Sequence, residues 1–303
     1  MDKTRRNILR SLGLMPLLFT NYKIFGNTKK NQKARIRYSV NAYSFNDELR
    51  NGSMTFIDMM EYAAGIGLDA VDLTGYYFST YPEIPSDQEL FQMKRTALRL
   101  GLDISWTGIR NDFVNPDAEV RTADKLLIKN WLGASAKLGS PIMRIFAGRV
   151  PYEGYTKDEV KEWLVEDLKT CAAYGEKTGV LPALQHHNDF LYTSEEVIDI
   201  LEKVDSDWLG LILDVGSLRQ GDPYEEIAKL APYADYWFIK EFVYRNDQRE
   251  PVNMDKLSKI LIQNSYTGYV SFESLSDNDP KEVVAQMLSS FRKAYDNNAP
   301  SGY

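Results

Sequence analysis

The sequence predicts a single (β/α)8 TIM barrel, and three observations carry that reading. Eight short apolar runs alternate with amphipathic stretches from about residue 36 onward. Gly67, Gly101, Gly139 and Gly179, spaced 34 to 40 residues apart, each fall just before a run, where a helix ends. Several runs then end in a polar side chain, at the strand ends where a closed parallel barrel builds its sites.

The runs lie near residues 36–40, 70–73, 102–106, 141–146, 180–185, 209–213, 235–240 and 268–272. They are continuous rather than alternating, which marks strands covered on both faces and therefore a parallel sheet. The stretches between them carry helix-start chemistry. Ser86-x-x-Glu89, Thr156-x-x-Glu159 and Thr193-x-x-Glu196 read as capping boxes, and Asn115-Pro116 and Asp279-Pro280 place Pro at a first helical position. Gly67-Leu68-Asp69 and Gly101-Leu102-Asp103 repeat one tripeptide at the start of successive units. An open doubly wound sheet is the alternative. No Gly-x-Gly-x-x-Gly follows the first run, which weakens its dinucleotide-binding version.

Charge is unevenly distributed. Residues 1–33 hold eight Lys/Arg and one acid, leaving 28 basic and 42 acidic side chains over residues 34–303, a net −14. A body of that sign repels phosphate backbones, so nucleic acid is excluded as the partner and a small molecule is expected. No run approaches the roughly 20 apolar residues of a membrane-spanning helix. The single cysteine, Cys171, lies in a helical pattern and reads as core. Thr4-Arg5-Arg6-Asn7-Ile8-Leu9-Arg10, followed by the apolar stretch Leu12 to Phe19, resembles a twin-arginine export signal. Residues 1–33 are therefore expected to be export signal and linker, residues 34–303 the barrel, and the compartment the periplasm.

The polar residues at run ends carry the chemistry. Gln185 and His187 follow Val-Leu-Pro-Ala-Leu, and strand alternation turns both toward the barrel interior. Asp214 follows Leu-Gly-Leu-Ile-Leu, Lys240 and Glu241 follow Trp-Phe-Ile, and Glu273 follows Tyr-Val-Ser-Phe. Buried carboxylates are costly unless paired, so their convergence on one mouth points to a metal or a polar ligand. A salt bridge tying strand ends together is the plainer reading of each. His186 and His187 are the only histidines, and both are candidates for the site. Arg144 reads as a binder of a substrate carboxylate or phosphate, or as a structural ion pair. Trp106 reads as a platform for the apolar face of a sugar, or as core. Arg110 and Asn111 lie on the loop after the third run, where binding residues concentrate.

Taken in order, these segments resemble the sugar phosphate isomerase/epimerase-like proteins, the xylose-isomerase-like barrels, over residues 36–295. The resemblance rests on Tyr43-Ser44-Phe45 ending the first strand, Val71-Asp72-Leu73, Ile109-Arg110-Asn111-Asp112-Phe113, Met143-Arg144-Ile145-Phe146, Leu184-Gln185-His186-His187, Leu213-Asp214-Val215-Gly216, Ile239-Lys240-Glu241 and Phe272-Glu273. The expected substrate contacts are Asp72, Trp106, Arg110, Asn111, Arg144 and His186. Metal-dependent members hold one divalent ion on Glu, Asp, His and Glu from four successive strand ends. Carried over, those positions are Gln185, Asp214, Phe238 and Glu273. A Gln carbonyl ligates a hard cation without adding charge and Phe cannot ligate, so any Mn²⁺ or Mg²⁺ is expected to bind weakly unless His187 substitutes.

Family epimerases move a proton next to a carbonyl with two carboxylates, and only Glu273 remains here as a base. Lys240, its pKa lowered by a neighbouring cation, or His187 is the expected second acid or base. The expectation is an exported isomerase or epimerase of a non-phosphorylated keto-sugar. A keto-sugar or keto-glycoside lyase or hydratase and a non-catalytic sugar-binding protein are the alternatives. The related apurinic endonuclease chemistry needs a cluster of zinc-binding histidines and a basic groove, and this chain has neither.

Overall fold

The computed structural model describes residues 35–149, 152–187 and 190–299. The export signal and linker expected over residues 1–33 lie outside the described residues. Eight parallel strands close into a barrel: β1 (Ile36–Val40), β2 (Ala70–Asp72), β3 (Asp103–Gly108), β4 (Ile142–Phe146), β5 (Leu181–Gln185), β6 (Gly210–Asp214), β7 (Tyr236–Lys240) and, after a hairpin of β8 (Phe242–Arg245) and β9 (Gln248–Pro251), β10 (Gly268–Glu273). Chain order is spatial order, with β10 closing onto β1 through pairs such as Tyr38 with Val270. The open-sheet alternative is thereby ruled out.

Two apolar layers follow from strand alternation. Outward-facing residues such as Met143, Ile145, Leu211, Leu213 and Phe272 pack under the helices in one continuous core that includes Cys171. Inside the barrel, Trp106, Ile142, Ala183, Ile212, Tyr236 and Phe238 form a separate plug. Ser105 shares hydrogen bonds with Ser39 and with the Tyr236 hydroxyl, so these three buried hydroxyls are satisfied. The barrel interior is thus filled with side chains rather than open.

The helix signals hold with instructive exceptions. Thr156 and Glu159 form the reciprocal capping box, and Asp279 caps the helix Pro280–Asn298. Thr193 accepts the Glu196 N–H, but the Glu196 carboxylate turns instead to the Tyr192 N–H and to Lys157. Ser86 likewise accepts the Glu89 N–H without a reciprocal bond from Glu89 to the cap. Asn115-Pro116 does not open its helix. Asn115 accepts the Asp117 N–H in a turn, and Asp117 caps the helix Ala118–Leu138. Gly139 and Gly179 cap the helices Ala118–Leu138 and Lys157–Thr178 in the left-handed conformation, at φ 83° and 71°.

The first strand ends at Val40, earlier than expected. Asn41 accepts the Tyr43 N–H and folds residues Ala42–Phe45 into a 3-10 turn. Among the described residues, no helix is long and apolar enough to cross a membrane.

Candidate active site

Four strand ends place one side chain each at the barrel mouth: Gln185 on β5, Asp214 on β6, Lys240 on β7 and Glu273 on β10. Asp214 is fully buried and its carboxylate is heavily bonded. Its Oδ2 accepts from Gln185 Nε2 at 2.7 Å, Ser217 Oγ at 2.7 Å and Lys240 Nζ at 2.8 Å. Its Oδ1 accepts the Gly216 N–H at 3.1 Å. Burial pushes the Asp214 carboxyl up, but the Lys240 ammonium overrides it and holds the group well below the usual range.

Lys240 is shared between two carboxylates, lying 3.8 Å from Glu273 Oε1 as well. Burial lowers its pKa, yet Asp214 and Glu273 outweigh that and keep it above the ordinary lysine value. The expectation of a lysine depressed by a neighbouring cation is therefore corrected. Lys240 is a fixed ammonium and not a base at neutral pH. Glu241, next in sequence, turns away and accepts the N–H groups of Leu275 and Ser276. Glu273 is the contrasting carboxyl. Its Oε2 accepts from Asn41 Nδ2, and burial raises its pKa while Lys240 opposes the rise. Such a carboxyl sits closer to a useful proton-transfer range than a surface glutamate does.

Above these groups opens a cavity of about 590 Å³, bounded by Asn41, Arg144, Gln185, His187, Lys240 and Glu273, with Tyr76, Phe242 and Tyr244 among its walls. Arg144 lies against aromatic faces, 4.1 Å from the Phe146 ring centroid and 5.5 Å from that of Trp106. Its Nη2 donates to the Ile109 carbonyl, and its buried Nε has no partner among the described residues. Gly108 makes this possible, since a Cβ there would stand 2.8 Å from Arg144 Nε. Gln185 Oε1 is a second buried polar atom without a partner. Arg144 and Gln185 line the cavity, and each keeps one buried polar atom without a partner among the described residues.

The structure brings Gln185, His187, Lys240, Glu273, Arg144, Arg110 and Asn111 to this cavity. Asn111 acts chiefly as a clamp, its side-chain amide pairing with both the N–H and the carbonyl of Phe146. Three expected substrate contacts lie elsewhere. Trp106 is wholly buried because β3 runs on to Gly108, which leaves the indole one layer below the mouth, 4.8 Å from the Phe238 ring.

His186 faces away from the interior, as alternation from Gln185 requires. Its Nε2 accepts the Asp214 N–H, so the ring is neutral, and burial lowers its pKa to about 4. Asp72 is buried behind the cavity and accepts the Ala42 and Thr74 N–H groups and the Thr74 hydroxyl. Burial lifts its pKa to about 7 against those bonds.

Three contributors escaped the sequence reading. Asn41 directly follows the first apolar run, so the rule that found Gln185 and Asp214 applies to it equally. Ser217 had no signal, because it lies past the strand on the turn that wraps Asp214. The hairpin supplying Phe242 and Tyr244 was signalled by Asn246-Asp247 between short strands, and both residues take left-handed φ values, 47° and 61°.

A divalent ion does not fit this arrangement. Gln185 spends its amide on Asp214, Phe238 lies in the apolar plug, and the Lys240 ammonium stands between Asp214 and Glu273. Among the described residues, no group of three or more His, Cys, Asp or Glu side chains is placed to hold a metal, so His187 does not complete the set. The weak Mn²⁺ or Mg²⁺ site implied by the resemblance is not built here.

Comparison with known proteins bears on the scaffold. A family model described as xylose isomerase-like TIM barrel matches residues 37–294. No curated protein matches the chain significantly. Among solved structures, D-psicose 3-epimerase from Clostridium cellulolyticum H10 with D-tagatose is similar at TM-score 0.68 and 18% identity, over 86% of this chain and 98% of that one. The 3-keto-D-glucoside 4-epimerase from E. coli is similar at TM-score 0.68 and 15% identity, over 86% and 100%. A D-tagatose 3-epimerase-like protein reaches TM-score 0.69 at 15% identity, over 86% and 98%. At such identities the likeness shows a shared fold.

Proposed function

The chain belongs to the xylose isomerase-like TIM barrel family, and from that premise we propose an isomerase/epimerase-like enzyme that removes a proton next to the carbonyl of a non-phosphorylated keto-sugar. The observation that carries this reading is Glu273, a buried carboxyl with raised pKa at the cavity wall, next to the Lys240 ammonium. Glu273 is the base. Loss of the proton leaves negative charge on the former carbonyl oxygen, and Lys240 and Arg144 are the fixed cations at the cavity that stabilise it. Glu273 then returns the proton from the same face. Return to the same carbon exchanges it without net change. Return to the former carbonyl carbon, with the proton of the neighbouring hydroxyl passing to the former carbonyl oxygen, moves the carbonyl by one carbon. His187, which also lines the cavity, is the candidate for delivery from another direction.

Gln185 and Arg144, which line the cavity, are suited to orient substrate hydroxyl and carbonyl groups. A keto-sugar is the fitting class because the fold is shared with sugar epimerases, including one acting on a 3-keto-D-glucoside. The basic N-terminal stretch around Arg5-Arg6 supports export to the periplasm, where sugar phosphates are scarce. A keto-glycoside lyase or hydratase is the second reading. It is favoured by Gln185, which cannot take a proton where the resemblance implies a second carboxylate.

Deuterium uptake from D₂O into a panel of keto-sugars and 3-keto-glucosides tests both readings. Uptake next to the carbonyl that falls about 10²- to 10⁴-fold in Glu273→Gln supports the assignment. Loss of the aglycone identifies the lyase. No exchange with any member of the panel sinks the enzymatic reading.

A further inference from the structure

We infer that Lys240 is the resident cation of this centre, its ammonium standing where the family resemblance places a divalent metal, so that the protein works without one. This rests on the proton-transfer reading above for what the cation does, but its geometry is independent of substrate. The ammonium lies 2.8 Å from Asp214 and 3.8 Å from Glu273, the two metal positions the chain retains. Asp214 has little to offer an ion, since its Oδ2 already accepts three donors and its Oδ1 a fourth.

Charge closes the argument. The resemblance implies three carboxylates around a divalent ion, one net negative charge. Here Gln185 removes one carboxylate, and Asp214, Glu273 and Lys240 again leave one net negative charge. The fourth ligand position has become Phe238, which joins the apolar plug. Two departures that look like separate losses in the sequence, Gln185 and Phe238, are with Lys240 one exchange, of a divalent ion with its extra ligands for a covalently tethered monovalent cation. The backbone accommodates the lysine stem as well. A Cβ on Gly216 would stand 2.8 Å from Lys240 Cδ and 3.2 Å from its Cβ.

The test is metal retention. The full chain is equilibrated with Mn²⁺, Co²⁺, Zn²⁺ and Mg²⁺ in turn, desalted and analysed for metal, and its melting temperature is recorded with Mn²⁺ and with EDTA. The expected result is no stoichiometric retention and one unchanged melting temperature. Retention of about one ion per chain, lost in Asp214→Asn, overturns the inference. The triple variant Gln185→Glu, Phe238→His, Lys240→Asn, confirmed as folded by circular dichroism, is expected to retain about one Mn²⁺ and to melt higher with it. A folded triple variant that retains none removes the claim that Lys240 occupies the metal position. If the variant does not fold, the native chain decides alone. Neither measurement involves turnover, so absence of deuterium uptake sinks the functional reading while leaving the cation assignment intact.

Discussion

Lys240 places its ammonium 2.8 Å from Asp214 Oδ2, with the aspartate fully buried and the lysine nearly so. A buried ion pair gains little over apolar residues of the same shape, but losing one partner strands the other charge. Lys240→Met leaves Asp214 with neutral donors only and is expected to cost about 3 kcal/mol in a denaturant titration. Lys240→Met with Asp214→Asn removes both charges and is expected to cost less than the sum of the single changes. Strictly additive losses would show that the pair is not coupled.

The same lysine sets the proton affinity of the base. Burial raises the Glu273 carboxyl and Lys240 pulls it back. Glu273 must be ionised to accept a proton, so turnover is expected to fall as pH drops through a value above that of an ordinary glutamate. Removing the ammonium lifts the Glu273 pKa further. The acid limb of deuterium exchange in Lys240→Met is therefore expected to move to higher pH, on a reduced maximum. An unmoved limb would remove Glu273 as the titrating base.

His186 gives the stability a separate pH dependence. Its folded pKa, about 4, lies below the roughly 6.5 of an exposed histidine. Between those values the unfolded chain binds more protons, so the contribution is fully present above about pH 6.5 and is lost as pH falls toward 4. The loss amounts to about 3 kcal/mol. Asp72 and Glu273, whose pKa values are raised, act with the opposite sign in part of this window. The difference between the native chain and His186→Gln isolates the histidine. Urea denaturation at pH 7, 5.5 and 4.5 should show the gap between the two proteins narrowing as pH falls. A constant gap would refute the neutral buried ring.

What the sequence made legible follows from the strand ends. Asp214, Lys240 and Glu273 each close an unbroken apolar run, so their place at the mouth required only that the runs be strands. Gln185 closes a run in the same way, and His187 was placed by alternation from it. Trp106 and Asp72 were misjudged because strand ends vary by a residue or two. β3 continues to Gly108, and β2 shifts register against it between Val71 and Asp72. The relation of Lys240 to two carboxylates was not legible at all. It depends on the stagger of β6, β7 and β10 and on Gly216 clearing the lysine stem, neither of which leaves a periodic trace.

Arg144 offers the sharpest probe of substrate recognition. Its guanidinium lies against the Phe146 and Trp106 faces, donates to the Ile109 carbonyl and lines the cavity. A planar, stacked fork is not reproduced by an ammonium. Arg144→Lys is therefore expected to raise KM about 10- to 100-fold, the loss of one or two charge-assisted hydrogen bonds. Gly108→Ala should shift the same group without touching its charge, because the added Cβ would stand 2.8 Å from Arg144 Nε. It also presses on the buried Trp106 ring, whose Cζ3 would be 2.8 Å away. The two variants are expected to weaken binding in parallel, with Gly108→Ala also melting lower because its Cβ crowds the plug at Trp106. Steady-state kinetics on the keto-sugar that shows deuterium uptake would check this. If Gly108→Ala left KM unchanged while Arg144→Lys raised it, the arginine would act through charge alone, and its stacked orientation would play no part in recognition.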